Sequence, residues 1–303
     1  MIEFEKEIFI LNSIRNRKKV KIILHVGTPK TGTTSLQLYL YENKKLLNEN
    51  GYSYPNVFNV EPKHQWMITN LLEENFINFC FNLSECYYDI KNNIHTIILS
   101  SEGIFNHWYD FSDTAKSFLA LLAKMFNITV YCWFRDQVSY TESYYKQVLK
   151  NPQMKHVKCY GKNLSIAELL QDKWFLNHLD YYKFAYECSK IFKKDNIRLF
   201  NYKSQVINEF LESLNISICE IVSKKENIGL SDISCNLLKS INNYNIKIEK
   251  KTEILRNLTK IDAILAEYTT TKIISEEEMK YIKKITYESN KKLYDNFNFE
   301  TIG

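Results

Sequence analysis

An α/β fold, in which a mostly parallel sheet is flanked by helices and followed by a helical C-terminal part, is what this 303-residue sequence predicts. Three observations carry that reading. Short β-branched runs alternate with longer helical patterns up to about residue 205. Continuous apolar runs such as 20–26 (VKIILHV) and 128–134 (ITVYCWF) suit strands buried on both faces. Beyond residue 205 apolar residues recur at spacings of three and four. Only seven glycines and four prolines punctuate the chain, so turns should be short and no flexible linker is expected. The expectation is a single domain over 1–303, with an α/β core at about 20–205 and a mainly helical part at about 206–303.

The first strand, 20–26, leads through GTPKTGTTS into a helix with Leu36, Leu40 and Leu47 on a repeat near 3.6 residues. A short strand is expected at 52–54, helices over much of 64–91, and a second strong strand at 96–100 (TIILS). A helix at about 114–126 precedes the strand 128–134, and another runs from about 138 to 149. Residues 151–162 are irregular and basic; helical patterns resume at 165–172 and 178–192, and a further strand covers 197–202 (IRLFNY). The helices after it cover about 206–214, 234–244, 246–268 and 275–297. Ser275 opens the last, with Glu276, Glu277 and Glu278 in its first turn, where a hydroxyl cap and negative charge suit a helix N-terminus.

With 45% hydrophobic and 25% charged residues, the composition is globular and excludes disorder and fibrous repeats. The net charge of +5 is spread along the chain rather than gathered into a basic stripe, which argues against a nucleic-acid partner. Seven cysteines, without a CxxC pair or regular spacing, read as buried thiols in a reducing compartment. Residues 1–21 mix acids and bases into a few apolar residues. No window approaches the roughly 20 apolar residues that span a bilayer, so neither a secretory signal nor an integral membrane segment is expected.

The strand-to-helix junction Gly27-Thr28-Pro29-Lys30-Thr31-Gly32-Thr33-Thr34 spends two of the scarce glycines. Gly27 lets the chain leave the strand sharply, and Gly32 lets the backbone approach a ligand. The N–H groups of Gly32 to Ser35 would then face an anion at the positive end of a helix. The nucleotide-hydrolase pattern GxxxxGK[ST] needs Lys after the second glycine. Here Thr33 stands in that place, and the loop's cation is Lys30 at its crown, placed to reach the bridging oxygen between a reacting group and a 5′-phosphate. No metal is called for.

GTPKTGTTS resembles the 5′-phosphosulfate loop of the sulfotransferases that use 3′-phosphoadenosine 5′-phosphosulfate. A second match follows in order. The strand ITVYCWF runs into Arg135-Asp136-Gln137 and on to Ser143, which is similar to the family's 3′-phosphate motif of a strand-terminal Arg and a Ser eight residues later. A guanidinium gives a bidentate grip on phosphate, and a hydroxyl two helical turns on would close on another oxygen. SSEGIF, NLSIAELL, NIRLFNY and NIGLSDISCNLLKSIN look like the bacterial, glycan-modifying branch. The glycine-rich RKGxxGxWK segment of the cytosolic small-molecule branch is missing, which disfavours phenols and steroids.

The resemblance implies a P-loop-type sheet with the donor held by Gly27, Thr28, Pro29, Lys30, Thr31, Gly32, Thr33, Thr34 and Ser35, and by Arg135 and Ser143 at the 3′-phosphate. It implies adenosine 3′,5′-bisphosphate as product and a carbohydrate hydroxyl as acceptor, on a cell-surface glycan or its precursor, lipid-linked and anionic glycans included. The implied location is the cytoplasm, either free or peripheral at the inner membrane face.

Sulfuryl transfer needs an in-line acceptor, charge neutralisation on the leaving phosphate and one base. Glu102 follows the strand TIILS, where ligands sit in open parallel sheets, and His64 in KHQW is the rival base. His107 is a weaker third. Lys150, Lys155, His156, Lys158 and Lys162 form either a lid that attracts an anionic glycan or the donor, or a solvated basic loop. Trp108, Tyr144 and Tyr145 either stack on a sugar or pack in the core. The competing functions are a P-loop kinase and a non-catalytic nucleotide-binding protein.

Overall fold

The computed structural model describes residues 4–56, 62–88, 90–152, 159–203, 205–216, 229–244, 246–267 and 272–300. The chain divides into two compact units. The first comprises Met1–Arg135, Tyr181–Lys224 and Leu293–Thr301; the second comprises Asp136–Asp180, Lys225–Lys292 and Ile302–Gly303.

In the first unit lie strands β1 (Lys21–His25), β2 (Tyr52–Ser53), β3 (Thr96–Ser100), β4 (Asn127–Phe134) and β5 (Ile197–Asn201). They make one sheet in the order β2-β3-β1-β4-β5, and every pairing is parallel. The expected mostly parallel sheet is therefore wholly parallel among the described residues. β1 is central, with His25 opposite Ser100 on one side and Tyr131 on the other.

The helices of this unit are α1 (Glu5–Arg17), α2 (Thr33–Glu42), α3 (Lys44–Glu49), α4 (Trp66–Leu72), α5 (Phe76–Tyr88), α6 (Gly103–Asn106) and α7 (Asp113–Met125). The second unit carries α8 (Gln137–Lys150), α9 (Ile166–Leu169) and α10 (Lys173–Leu179); α11 (Tyr181–Phe192) and α12 (Val206–Ser213) belong again to the first. The last three, α13 (Asp232–Ile241), α14 (Ile248–Glu267) and α15 (Glu276–Phe297), complete the helical C-terminal part.

Strand side chains alternate between two cores, as the period of two requires. Ile22, Leu24, Ile97, Leu99, Val130 and Cys132 pack with α1, α4, α5, α7 and α11. Ile23, Ile98, Tyr131 and Trp133 pack on the other face with α2 and α12. Both faces of β1, β3 and β4 are covered, which is why these strands read as continuous apolar runs. The second unit has its own core, built around Tyr140, Tyr144, Tyr145, Val148 and Leu149 of α8 with Phe175, Leu238 and Leu258.

Several elements differ from the sequence expectation, among them the short α6, where no helix is expected. α1 was not foreseen: its buried stripe is only Leu11 and Ile14, set between acids in the first turn and bases in the last. The helix expected through Leu36, Leu40 and Leu47 is interrupted at Asn43, whose side-chain amide donates to the Tyr39 carbonyl at 2.9 Å. The helix expected over 178–192 breaks at Asp180 (φ −88°, ψ 77°), so α10 ends at Leu179. The caps at Ser165 and Ser275 form as reciprocal capping boxes with Glu168 and Glu278. All six described cysteines are buried free thiols, and Cys219 lies outside the described residues. Among the described residues no helix is long and apolar enough to cross a membrane.

Candidate active site

β1 stops at His25, and the chain turns over its end through Gly27 (φ 42°), Lys30 (φ 69°) and Gly32 (φ 70°). A Cβ on Gly27 would lie 2.6 Å from the Thr33 methyl and 3.2 Å from His25 Nε2, and one on Gly32 would lie 3.0 Å from Val206 Cγ1. Gly27 is thus demanded by space as well as by φ, and Gly32 by its φ. The N–H and hydroxyl of Thr28 both donate to the Trp133 carbonyl, at 3.1 and 2.9 Å, and the Thr31 hydroxyl donates to the Thr28 carbonyl at 2.6 Å. These bonds tie the loop to the end of β4.

α2 begins at Thr33 behind Gly32, with no side chain capping it. Its first-turn N–H groups therefore face the loop with the positive end of the helix behind them. Gly27, Thr28, Pro29, Thr31 and Thr33 are buried; Lys30, Gly32 and Ser35 are half-buried and Thr34 is exposed. Gly27→Ala should lower the unfolding free energy by roughly 1–3 kcal/mol, since it forces an L-residue to positive φ and displaces the Thr33 methyl. Urea unfolding of the full chain measures it.

Two further strands deliver side chains to this loop. Arg135 follows β4: its Nη1 donates to the Lys30 carbonyl at 3.0 Å, and its carbonyl accepts from the Tyr181 hydroxyl at 2.7 Å. The guanidinium lies 5.4 Å from the ring centroid of Tyr202, whose own N–H donates to the Phe134 carbonyl at 2.8 Å. Glu102 follows β3, half-buried at the N-cap of α6, and accepts a hydrogen bond from the Thr33 hydroxyl. The loop, Arg135 and Glu102 thus meet at the carboxyl ends of β1, β3 and β4. That is where the strand order reverses direction about β1 and where open sheets hold their ligands. Tyr202 was missed from the sequence, although its place just beyond β5, the partner of Arg135's strand, was a usable signal.

His64 is held by three hydrogen bonds. Its N–H donates to the Ser100 carbonyl at 2.9 Å, its Nδ1 accepts from the Ser100 N–H at 3.0 Å, and its Nε2 donates to the Pro55 carbonyl at 2.8 Å. Burial lowers its pKa to about 4. The imidazole is neutral and both nitrogens are committed, so no lone pair is open to a substrate hydroxyl. His107 bonds Asp110 through Nδ1 at 2.9 Å.

His25, read from the sequence only as a strand residue, is fully buried. Its Nδ1 shares a 2.7 Å hydrogen bond with Ser100 Oγ, to which Gln37 Nε2 also donates at 3.0 Å, and burial lowers its pKa to about 3.

Ser143 is half-buried on α8 in the second unit. Tyr144 and Tyr145 are packed into that unit's core, with the Tyr145 hydroxyl donating to the Leu164 carbonyl at 2.6 Å. Trp108 is buried in the first unit, where its Nε1 donates to Glu187 at 2.9 Å. All three are packing residues rather than open sugar platforms. Lys150 and Lys162 are exposed, while Lys155, His156 and Lys158 lie outside the described residues. No group of three potential metal ligands is gathered among the described residues.

No protein-family model matches the chain. An uncharacterized protein of Archaeoglobus fulgidus is 25% identical over 213 residues, a match that covers 66% of this chain and about half, 53%, of that relative's length. Among solved structures, a sulfotransferase from Alicyclobacillus acidocaldarius is similar with a TM-score of 0.44 and 10% identity, over 76% of this chain and 98% of its own. The α/β class rests on the strand pairing itself.

Proposed function

We propose that the protein is a sulfotransferase that moves a sulfuryl group from 3′-phosphoadenosine 5′-phosphosulfate to a hydroxyl of a carbohydrate, a cell-surface glycan or its precursor. The observation that carries the reading is the meeting of Arg135 with the crown of the glycine loop, through the Lys30 carbonyl. A cation that would take a 3′-phosphate is thereby set beside a cradle that suits a 5′-phosphosulfate. The cradle fits such a group: Gly27 leaves no room for a Cβ, Gly32 turns the chain at a positive φ, and the uncapped turn of α2 offers N–H donors.

The buried Thr33 hydroxyl stands where a nucleotide hydrolase has its phosphate lysine, and it turns to Glu102 instead. The donor supplies an activated sulfuryl group on a phosphate leaving group. Lys30 and the loop N–H groups hold the charge that grows on that phosphate as its S–O bond breaks. Glu102 accepts the acceptor's hydroxyl proton as the new O–S bond forms. Glu102 is preferred to His64 because both nitrogens of the histidine are already engaged. Lipid-linked and anionic glycans fall within the acceptor class, and the enzyme would act in the cytoplasm, free or at the inner membrane face.

Calorimetry tests the reading with adenosine 3′,5′-bisphosphate and with ATP, each with magnesium or a chelator. The bisphosphate should bind in both conditions; binding of ATP alone, and only with magnesium, would instead indicate a kinase. Binding without release of bisphosphate from donor plus any acceptor would indicate a non-catalytic protein. Lys30→Ala should lower turnover on the order of a hundredfold with a smaller loss of bisphosphate affinity. Arg135→Ala should do the reverse, weakening the bisphosphate by roughly 1.5–3 kcal/mol.

A further inference from the structure

Thr33 joins two parts of the site that the sequence keeps 69 residues apart. Its side chain is 3% exposed, and its methyl occupies the notch left by Gly27, 2.6 Å from where a Cβ there would stand. A β-branched side chain has few χ1 choices, and with the methyl seated in that notch the hydroxyl is aimed at Glu102 Oε2. The other end of the bond is also fixed. The backbone after Glu102 passes so close to α4 that a Cβ on Gly103 would lie 2.6 Å from Ile68 Cγ1. Gly27, Thr33, Glu102 and Gly103 thus form one rigid linkage from loop to carboxylate.

We infer that Thr33 is the positioning residue of the base: its hydroxyl holds Glu102 Oε2, leaving Oε1 to take the proton of the acceptor hydroxyl. The inference rests on the sulfotransferase reading and deepens it. It also accounts for a hydroxyl at this position, because valine would keep the seated branch but lose the donor, whereas serine would keep the donor and give up only the methyl contact at Gly27. A carboxylate held by a charge-assisted bond presents one oxygen in one direction, and orientation of this kind is worth a large part of a rate.

The test uses the full chain with Thr33→Val, Thr33→Ser and the double variant with Glu102→Gln. Thr33→Val should lose about tenfold or more in kcat with little change in the acceptor KM, a loss well beyond any in affinity for adenosine 3′,5′-bisphosphate. Thr33→Ser should recover most of that kcat. In the Glu102→Gln background Thr33→Val should cost nothing further, since it acts only through the carboxylate.

A readout independent of turnover is the 13C carboxylate resonance of Glu102, assigned by its loss in Glu102→Gln; it should move in Thr33→Val and stay near the parent position in Thr33→Ser. Full kcat in Thr33→Val, a parallel loss of kcat and bisphosphate affinity, or an unmoved Glu102 resonance would each overturn the inference. If Thr33→Val does not fold, Thr33→Ala carries the same measurements. Should the parent protein transfer no sulfuryl group to any acceptor, the functional reading fails, while the resonance still decides whether Thr33 holds Glu102.

Discussion

Glu102→Gln should lower sulfuryl-transfer turnover by a factor of about 10² to 10⁴ and leave the affinity for adenosine 3′,5′-bisphosphate within about twofold. Glutamine keeps the size of the side chain and an oxygen for the Thr33 hydroxyl, so the linkage from loop to α6 survives. What it loses is the capacity to take a proton as the acceptor oxygen attacks. A rate loss confined to kcat is the mark of an interaction made only in the transition state. His64→Ala should behave differently. It strips the Ser100 N–H and the Pro55 carbonyl of their partners, so stability should fall while turnover per folded molecule is kept. An active Glu102→Gln beside an inactive but folded His64→Ala, compared by circular dichroism and single-turnover assay, would reverse the assignment.

Acid should destabilise the fold well before the carboxylates titrate. Burial lowers His25 to about 3 and His64 to about 4, against 6.5 in an open chain. Below pH 6.5 the unfolded chain gains protons on both residues, and the native protein takes none at His25 until about pH 3 and none at His64 until about pH 4. Unfolding is therefore favoured as pH falls through 6.5, and the stability supplied by keeping these rings neutral is complete only above it. By pH 5 each contributes a loss of about 2 kcal/mol, or about 4 kcal/mol for the pair relative to pH 7.5. Urea unfolding at pH 7.5, 6 and 5 measures the slope, and His64→Gln should reduce it by about half. A slope unchanged in that variant would show that His64 is not held neutral in the native protein.

β1, β3 and β4 were legible in the sequence because each is a nearly continuous apolar run, and the observed β4 begins one residue before the expected 128. α1 was not legible, since two buried residues in a field of charges make no stripe that periodicity can detect. The breaks at Asn43 and Asp180 interrupt patterns that continue through them, so local spacing alone could not place them. The positions of the loop, Glu102 and Arg135 at strand ends were legible because each follows directly on an apolar run. The Thr33 bond to Glu102 was not, because it exists only once β3 lies beside β1 in the sheet. The double engagement of His64 depends likewise on Ser100 and Pro55, which spacing does not connect to it.

The two-residue β2 covers only the beginning of β3, pairing as far as Ile97. At the far end of β3 His64 takes up the pairing: its N–H meets the Ser100 carbonyl and its ring nitrogen takes the Ser100 N–H. His64 thus pairs both backbone groups that Ser100 turns away from β1. The pairing depends on charge state. A proton on Nδ1 would face the Ser100 N–H, donor against donor, and the ring's half of the pairing would be lost. Acid would then leave a buried Ser100 N–H unpaired at the end of the same strand that leads to Glu102.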